Sequence, residues 1–416
     1  MNLPATPWPE ARVRQLLADE DLSYQRVELP HGLATPGDDR SGTARLILPD
    51  DLRGQSFLDV GCEIGYFCFE AARRGAQRVV GLDLDADTVR KARLLAECLG
   101  LTNVEFRHFD LERDPLDEPF DHVICLNVLH HLKNPIAAME KLTAATRRRL
   151  SLELVGFGKH DRKKLGGLSW LASRLLGRYP ILYAGRTGIS GRYYSPKFVL
   201  TPAAVGNILT WHRNQFARIE TLASPFKDRF LAVAHKRQVG HLVVLAGPAG
   251  AGKSHLLNAL RSGEHASIAA AIGLNDPGAG AWPKIEARRL HQLDEPRLER
   301  LVLHYNFLSP FYRSARSYER DEALDLLDAA ERLTFVTVWA PSQVLLQRFD
   351  QAKAGAMVDG EYLSRSRHAD IKASYQNPAA VKMFYQRWFE YVRKRGAAHH
   401  IISTHDGVKL IDEQHL

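Results

Sequence analysis

Residues 57–67 read FLDVGCEIGYF: a short apolar run interrupted by Asp59, a turn holding Gly61 and Gly65, and the opening of a helix that continues through Phe69 and Arg74. The run has the length and composition of a buried strand. A glycine turn lets the backbone approach a ligand closely, and the helix behind it directs free N–H groups at whatever the turn holds. Such a turn alone is weak evidence, because dinucleotide sites use the related GxGxxG spacing.

The chain downstream narrows the choice. VVGLDLD (79–85) reads as a second strand ending in Asp83, where a carboxylate can accept both hydroxyls of a ribose. After a helical DTVRKARLLAECLG, the stretch VEFRHFD (104–110) reads as a third strand ending in Asp110, beside an expected adenine. FDHVICLNVLHHLKNP (120–135) supplies a fourth, with Asn127 and His130 near its carboxyl end. Short apolar runs alternating with amphipathic helices imply a parallel sheet with crossover helices, hence the α/β class.

On these residues the chain resembles the class I S-adenosylmethionine-dependent methyltransferases over about residues 45–237. DVGCEIG corresponds to their glycine-rich first motif, GLDLD to their acidic ribose-binding strand end, and LHHLKNP to the stretch after their fourth strand. The run VLHHLKNPIAAMEKL followed by RRLSLELVGF is most similar to the branch containing the bacterial tRNA wobble-uridine carboxymethyltransferases. The resemblance implies a Rossmann-like sheet and an S-adenosylmethionine site built from Asp59, Gly61, Gly65, Asp83, Asp110 and Asn127. His130 is the candidate general base, with His131 beside it. Glu63 departs from the pattern, which often has Gly or Asn there, and ordinary methyl donation is the reading adopted.

Around this nucleus, residues 1–50 read as a cap with a helix near Pro9–Asp19, and residues 51–238 as the methyltransferase domain. The segment of about 156–195 reads as an insertion over its binding face, with Arg192, Tyr193 and Tyr194 as possible substrate contacts and LSWLASRLLG as a helix. FARIETLAS and DRFLAVAHKR read as the closing strands.

A second constellation follows at once. HLVVLAGPAGAGKSHLLNAL (241–260) is an apolar strand, a loop of the form GxxxxGKS, and an amphipathic helix. Gly247, Gly250 and Gly252 allow a backbone nest around phosphate oxygens, Lys253 can reach the outer phosphates, and the Ser254 hydroxyl can ligate Mg2+. Over about residues 240–405 the chain resembles the P-loop nucleoside-triphosphate hydrolases and small-molecule kinases, implying a three-layer α/β domain at 239–416 that binds ATP with Mg2+. Lys253 is the candidate catalytic residue there. Arg348, Arg365 and Arg367 read as lid arginines able to meet phosphate charge. The strand candidate RLVLHYNFL ends in His304, Tyr305 and Asn306, without the carboxylate that usually faces Mg2+. The aromatic helix KMFYQRWFEYVRKR reads as core.

Bulk properties bound the rest. A chain of 416 residues is long enough for two cores of ordinary size. No apolar run approaches the roughly 18 residues a membrane helix needs, and the first residues, MNLPATPWPE, lack an export signal, so a cytoplasmic protein is expected. The four cysteines, Cys62, Cys68, Cys98 and Cys125, form no CxxC pair, which disfavours a zinc site or a disulfide framework. A net charge of +8 suits an anionic partner, either RNA or phosphorylated small molecules. The sequence thus favours a methyltransferase joined to an ATP-dependent kinase-like domain, acting on a small molecule or saccharide precursor. The alternatives are a tRNA-modifying enzyme with an ATP-dependent accessory domain, and a methyltransferase with a non-catalytic ATP-responsive module.

Overall fold

The computed structural model describes residues 8–156, 175–186, 196–211, 216–274, 282–293, 295–308, 317–351, 357–358, 361–362 and 365–415. The chain divides into two compact units, Met1–His212 with Arg218–Lys236, and Arg213–Ala217 with Arg237–Leu416.

The first unit is built on a seven-stranded sheet. Its strands are β1 (Ser56–Val60), β2 (Arg78–Asp83), β3 (Val104–His108), β4 (Phe120–Leu126), β5 (Thr146–Val155), β8 (Phe216–Ala223) and β9 (Arg229–Lys236). Two further strands, β6 (Leu182–Arg186) and β7 (Pro196–Leu200), pair antiparallel to each other. The sheet order is β3-β2-β1-β4-β5-β9-β8. The strands from β3 to β5 are parallel, and β9 runs antiparallel to β5. Strand order therefore reverses between β1 and β4, and ligands of open α/β sheets bind at such a reversal, beyond the carboxyl ends of the strands. Helices α1 (Glu10–Asp19), α2 (Ser41–Ile47), α3 (Tyr66–Arg73), α4 (Ala86–Cys98), α5 (Pro135–Ala145) and α6 (Pro202–Trp211) complete the unit. Each of the last turns of sequence before α4 and α5 supplies a cap: Asp85 accepts from the Thr88 N–H and Asn134 from the Ala137 N–H. The amino-terminal cap is part of the core rather than a lid, since Val13, Leu16, Leu22 and Val27 are buried in one cluster with Phe57 and Phe69.

The second unit holds a six-stranded sheet of order β11-β12-β10-β13-β16-β17. Its strands are β10 (Gln238–Ala246), β11 (Lys284–Glu286), β12 (Arg297–Tyr305), β13 (Ala330–Trp339), β16 (Ala398–Ser403) and β17 (Lys409–Ile411), and a separate hairpin joins β14 (Met357–Val358) to β15 (Glu361–Tyr362). All pairs are parallel except β16 with β17. Here β10 is the point of reversal, with β12 on one side and β13 on the other. The helices are α7 (Lys253–Arg261), α8 (Ala266–Ala271), α9 (Ser342–Asp350), α10 (Arg365–Tyr375) and α11 (Pro378–Arg395). The aromatic stripe of α11 is core: Trp388 is fully buried, stacks on Phe307, and donates its indole N–H to Thr337 Oγ1 at 2.8 Å. All four cysteines are free and buried.

Each unit contains a histidine buried in its neutral form. Burial, with Arg149 nearby, pushes His122 down to about 4, and burial with Arg332 and Arg300 does the same to His241. Below the ordinary imidazole value of about 6.5 the unfolded chain gains protons that the folded chain refuses, so stability falls as pH drops from about 6.5 towards 4. Between pH 7 and 5 each site should cost on the order of 1–2 kcal/mol. Urea melts at the two pH values check this, and His241→Gln should reduce the dependence of the second unit, the remainder coming from His399, which burial also pushes down to about 4.

Candidate functional site

The glycine turn after β1 sits at the reversal of the first sheet. Gly61 N–H and Cys62 N–H donate to Leu82 O at 2.7 and 3.0 Å, binding the turn to the end of β2. Gly61 has φ +79°, and an added Cβ would lie 2.2 Å from Val128 Cγ2. Gly65 precedes α3, and the ring of Phe106 occupies the place of its Cβ. These glycines are thus demanded first by protein packing. Gly61→Ala should cost about 2 kcal/mol or more through overlap and strained φ. A thermal melt would detect it, and Val128→Ala in the same chain should recover part of the loss.

Asp83 ends β2 and is half-buried. Its Oδ2 accepts from the Glu63 N–H and its Oδ1 from the Asp85 N–H, both at 3.0 Å. Two backbone donors fix the carboxylate plane while acceptor sites on both oxygens remain available. Glu63 takes φ +52° to make this contact, and burial, with Asp83 and Asp85 nearby, raises its carboxyl above the usual range. The adjoining Leu84 is 64% exposed, an apolar surface beside the acid.

Three sequence expectations are revised. Asp59 is 1% exposed and lies inside the sheet, where burial, reinforced by the charge of Asp83, raises its carboxyl well above the usual range; the Cys68 thiol donates to it at 3.9 Å. Asp110 does not end β3, which stops at His108 opposite Asp83. The edge strand then turns, with the Arg113 and Asp114 N–H groups donating to Asp110 O and its side chain accepting from the Glu112 N–H. The amide of Tyr66, one of the donors at the start of α3, is taken by Gln25 Oε1 at 3.0 Å.

The carboxyl end of β4 holds a group that the sequence did not reveal. Asn127, at φ +62°, donates its backbone N–H to Glu153 O and its side-chain amide to Glu153 Oε2. Glu153 is 1% exposed on β5, accepts from the Ser224 hydroxyl, and has Arg229 Nη1 at 3.7 Å. Asn127 Oδ1 is buried with no hydrogen-bond partner among the described residues. The only hint was a carboxylate inside the otherwise apolar LSLELV. His130 lies in the 3-10 turn that follows, 7% exposed, its ring centroid 4.0 Å from that of His131. Arg192, Tyr193, Tyr194 and most of the 156–195 segment lie outside the described residues. An open cleft edged by Ser56, Arg78, Glu105 and Glu118 lies at the amino ends of β1–β3, away from these groups.

In the second unit, the loop 247–252 leaves β10 at its point of reversal, and Gly252, at φ +96°, opens α7. An added Cβ there would lie 2.9 Å from Thr404 Oγ1. The loop is clasped from several elements: Arg348 donates to the Gly250 and Ala251 carbonyls and to Thr404, Thr404 Oγ1 donates to Ala251 O, and Tyr375 donates to Ala249 O. Arg348 is therefore a brace of the loop, not a lid group, because α9 runs alongside it. Arg365 and Arg367 open α10, and their side chains lie outside the described residues. Lys253 is 2% exposed, with Nζ donating to the Gly247 and Pro248 carbonyls at 2.8 and 2.9 Å. Ser254 Oγ lies 3.5 Å from His304 Nε2, and His304 Nδ1 lies 2.9 Å from Glu286 Oε2. Burial works to raise the Glu286 carboxyl, but His304 and Lys284 hold it below the usual range. Sequence reading noted His304 for lacking a carboxylate and missed Glu286, which the parallel pairing of β11 places directly opposite it.

Residues 51–152 match a family model described as a methyltransferase domain. With its strand order, this segment is a methyltransferase domain with a Rossmann-like α/β fold. Relatives of two kinds are among those it resembles. Over 96 residues the chain is 32% identical to the tRNA U34 carboxymethyltransferase of Campylobacter hominis, covering 23% of this chain and 33% of that protein. Over 89 residues it is 37% identical to the ubiquinone biosynthesis O-methyltransferase of Neisseria meningitidis serogroup C, covering 21% and 37%. The chain thus spans little more than a third of the length of these curated relatives. Among solved structures, it is similar to the N-terminal domain of EvdMO1 crystallised with SAH and D-fucose, at 20% identity and a TM-score of 0.43, over 56% of this chain and 98% of that one.

Proposed function

We propose that this chain is a bifunctional enzyme in which an S-adenosylmethionine-dependent methyltransferase is joined to an ATP-binding, kinase-like P-loop domain acting on the same or a related small molecule or saccharide precursor. The observation that carries the methyl-transfer reading is Asp83, a half-buried carboxylate held by two backbone donors at the reversal of the sheet.

In this reading Asp83 accepts the ribose hydroxyls of the cofactor, Leu84 and the turn at Asp110 flank the adenine, and the turn holding Gly61 and Gly65 brings its backbone close to the cofactor. The buried, unpaired Asn127 Oδ1 fits a donor such as the cofactor's ammonium, and Glu153 holds that amide in place. The cofactor supplies an electrophilic methyl group, and catalysis consists mainly of holding the acceptor in line and close. His130 is the group that takes the acceptor's proton. In the second unit Gly247, Gly250, Gly252 and Lys253 cradle the phosphates of ATP, Ser254 meets Mg2+, and Arg365 and Arg367 meet phosphate charge from α10. Sharing a chain raises the local concentration of a common intermediate.

The curated relatives support an acceptor of either kind, one being named for tRNA U34 and the other for ubiquinone biosynthesis. The net charge of +8 favours keeping the tRNA reading as the second one. Incubating the full chain with isotopically labelled S-adenosylmethionine, cell metabolites and total RNA decides between them by mass spectrometry. Label in a small molecule is expected. Label confined to RNA, with binding that weakens steeply as salt rises, would support the second reading. Transfer to neither would contradict both. No described helix is long and apolar enough to cross a membrane.

A further inference from the structure

A strand end that faces a triphosphate cradle ordinarily offers an oxygen to the divalent cation, and Mg2+ demands oxygen ligands. This chain offers an imidazole. His304, at the carboxyl end of β12, is 2% exposed, and its Nε2 is 3.5 Å from Ser254 Oγ. Its other nitrogen meets Glu286 Oε2 at 2.9 Å, and Glu286 Oε1 is held in turn by Lys284 Nζ at 2.7 Å. Three adjacent elements, β11, β12 and the start of α7, thus converge on one nitrogen and one hydroxyl.

A carboxylate 2.9 Å from Nδ1, on the side of the ring away from Ser254, is the placement found behind metal-ligating histidines, where it orients the ring. The spacing is also suitable. Two ligands about 2.1 Å from one cation are about 3 Å apart in octahedral geometry and somewhat more in tetrahedral geometry, so the observed pair needs to close by only a few tenths of an ångström. Imidazole nitrogen favours later first-row cations over Mg2+.

We propose that His304 Nε2 and Ser254 Oγ together ligate the divalent cation that accompanies a nucleoside triphosphate in this cradle, with Glu286 as the positioning residue, and that the site therefore prefers a later first-row transition cation such as Co2+ to Mg2+. The proposal rests on reading the loop 247–254 as a triphosphate cradle.

The test uses the full chain labelled with 15N-histidine and loaded with Mn2+ and the β,γ-methylene analogue of ATP. Electron spin-echo spectra should show coupling of Mn2+ to a histidine nitrogen. Calorimetry with the same analogue should show Co2+ supporting binding at least about 10-fold better than Mg2+. The coupling should vanish in His304→Asp, with the cation preference reversed. In Glu286→Gln, which leaves the ligand in place, cation affinity should fall about 10- to 100-fold. If Mn2+ and the nucleotide bind with no histidine coupling in the unsubstituted chain, the proposal is overturned and the cradle stands. If no nucleotide binds with any of the three cations, the cradle reading itself fails and takes the proposal with it.

Discussion

Asp83→Ala should weaken the affinity of the full chain for S-adenosylmethionine by about 100-fold or more and leave its affinity for ATP unchanged. The acid is proposed to make charge-assisted hydrogen bonds to both ribose hydroxyls, each worth about 1.5–3 kcal/mol, and about 2.7 kcal/mol already corresponds to two decades in binding. The same side chain receives the Glu63 and Asp85 N–H groups, so its removal also releases the residue at φ +52° and loosens the turn. Asp83→Asn reduces both effects: its one carbonyl oxygen keeps an acceptor for only one of the two backbone N–H groups and the charge is lost, so it should bind with affinity between those of the other two chains. Calorimetry on the three chains gives the ranking, and equal cofactor affinity in all three would remove Asp83 from the site.

Lys253→Ala should abolish phosphoryl transfer and reduce ATP affinity by about 100-fold, with methyl transfer preserved. The ammonium is the cradle's own positive charge, already buried among loop carbonyls at 2.8 and 2.9 Å. Its loss removes a direct phosphate contact, and it leaves the Gly247 and Pro248 carbonyls without this donor, at a cost of about 1–3 kcal/mol in the stability of the loop. Lys253→Met fills most of the buried volume but also lacks the donor, so lost ATP affinity in a Met variant that melts above the Ala variant and keeps methyl transfer would assign the effect to the missing ammonium rather than to a collapsed loop. Equal loss of both activities would mean that the two sites are not independent.

The sequence made both sheets legible because their strands are short apolar runs bounded by glycine turns or charged helices. VVGLD, HLVVLAG and RLVLHY each have the pattern of a strand covered on both faces, and the closing pair of the first sheet was equally plain. Asp83 was readable for the same reason, being a single acid at the end of such a run. What the sequence hid were relations across strands. Glu153 matters because β5 places it beside Asn127, and Glu286 because β11 places it opposite His304; neither acid stands in a local pattern. Asp110 was misplaced by two residues because an edge strand has one partner, and pairing with β2 ends at His108. Gly61 and Gly65 were read as room for a ligand, whereas Val128 and Phe106 already fill the space a side chain would need.

Hydrogen–deuterium exchange of the full chain with and without S-adenosylhomocysteine tests the central claim most directly. Protection is predicted at 60–66, at 83–85, and around 109–111 and 127, with the loop at 247–254 unaffected. Unchanged exchange throughout 60–85 at saturating concentration, or protection centred on the second unit, would contradict the account.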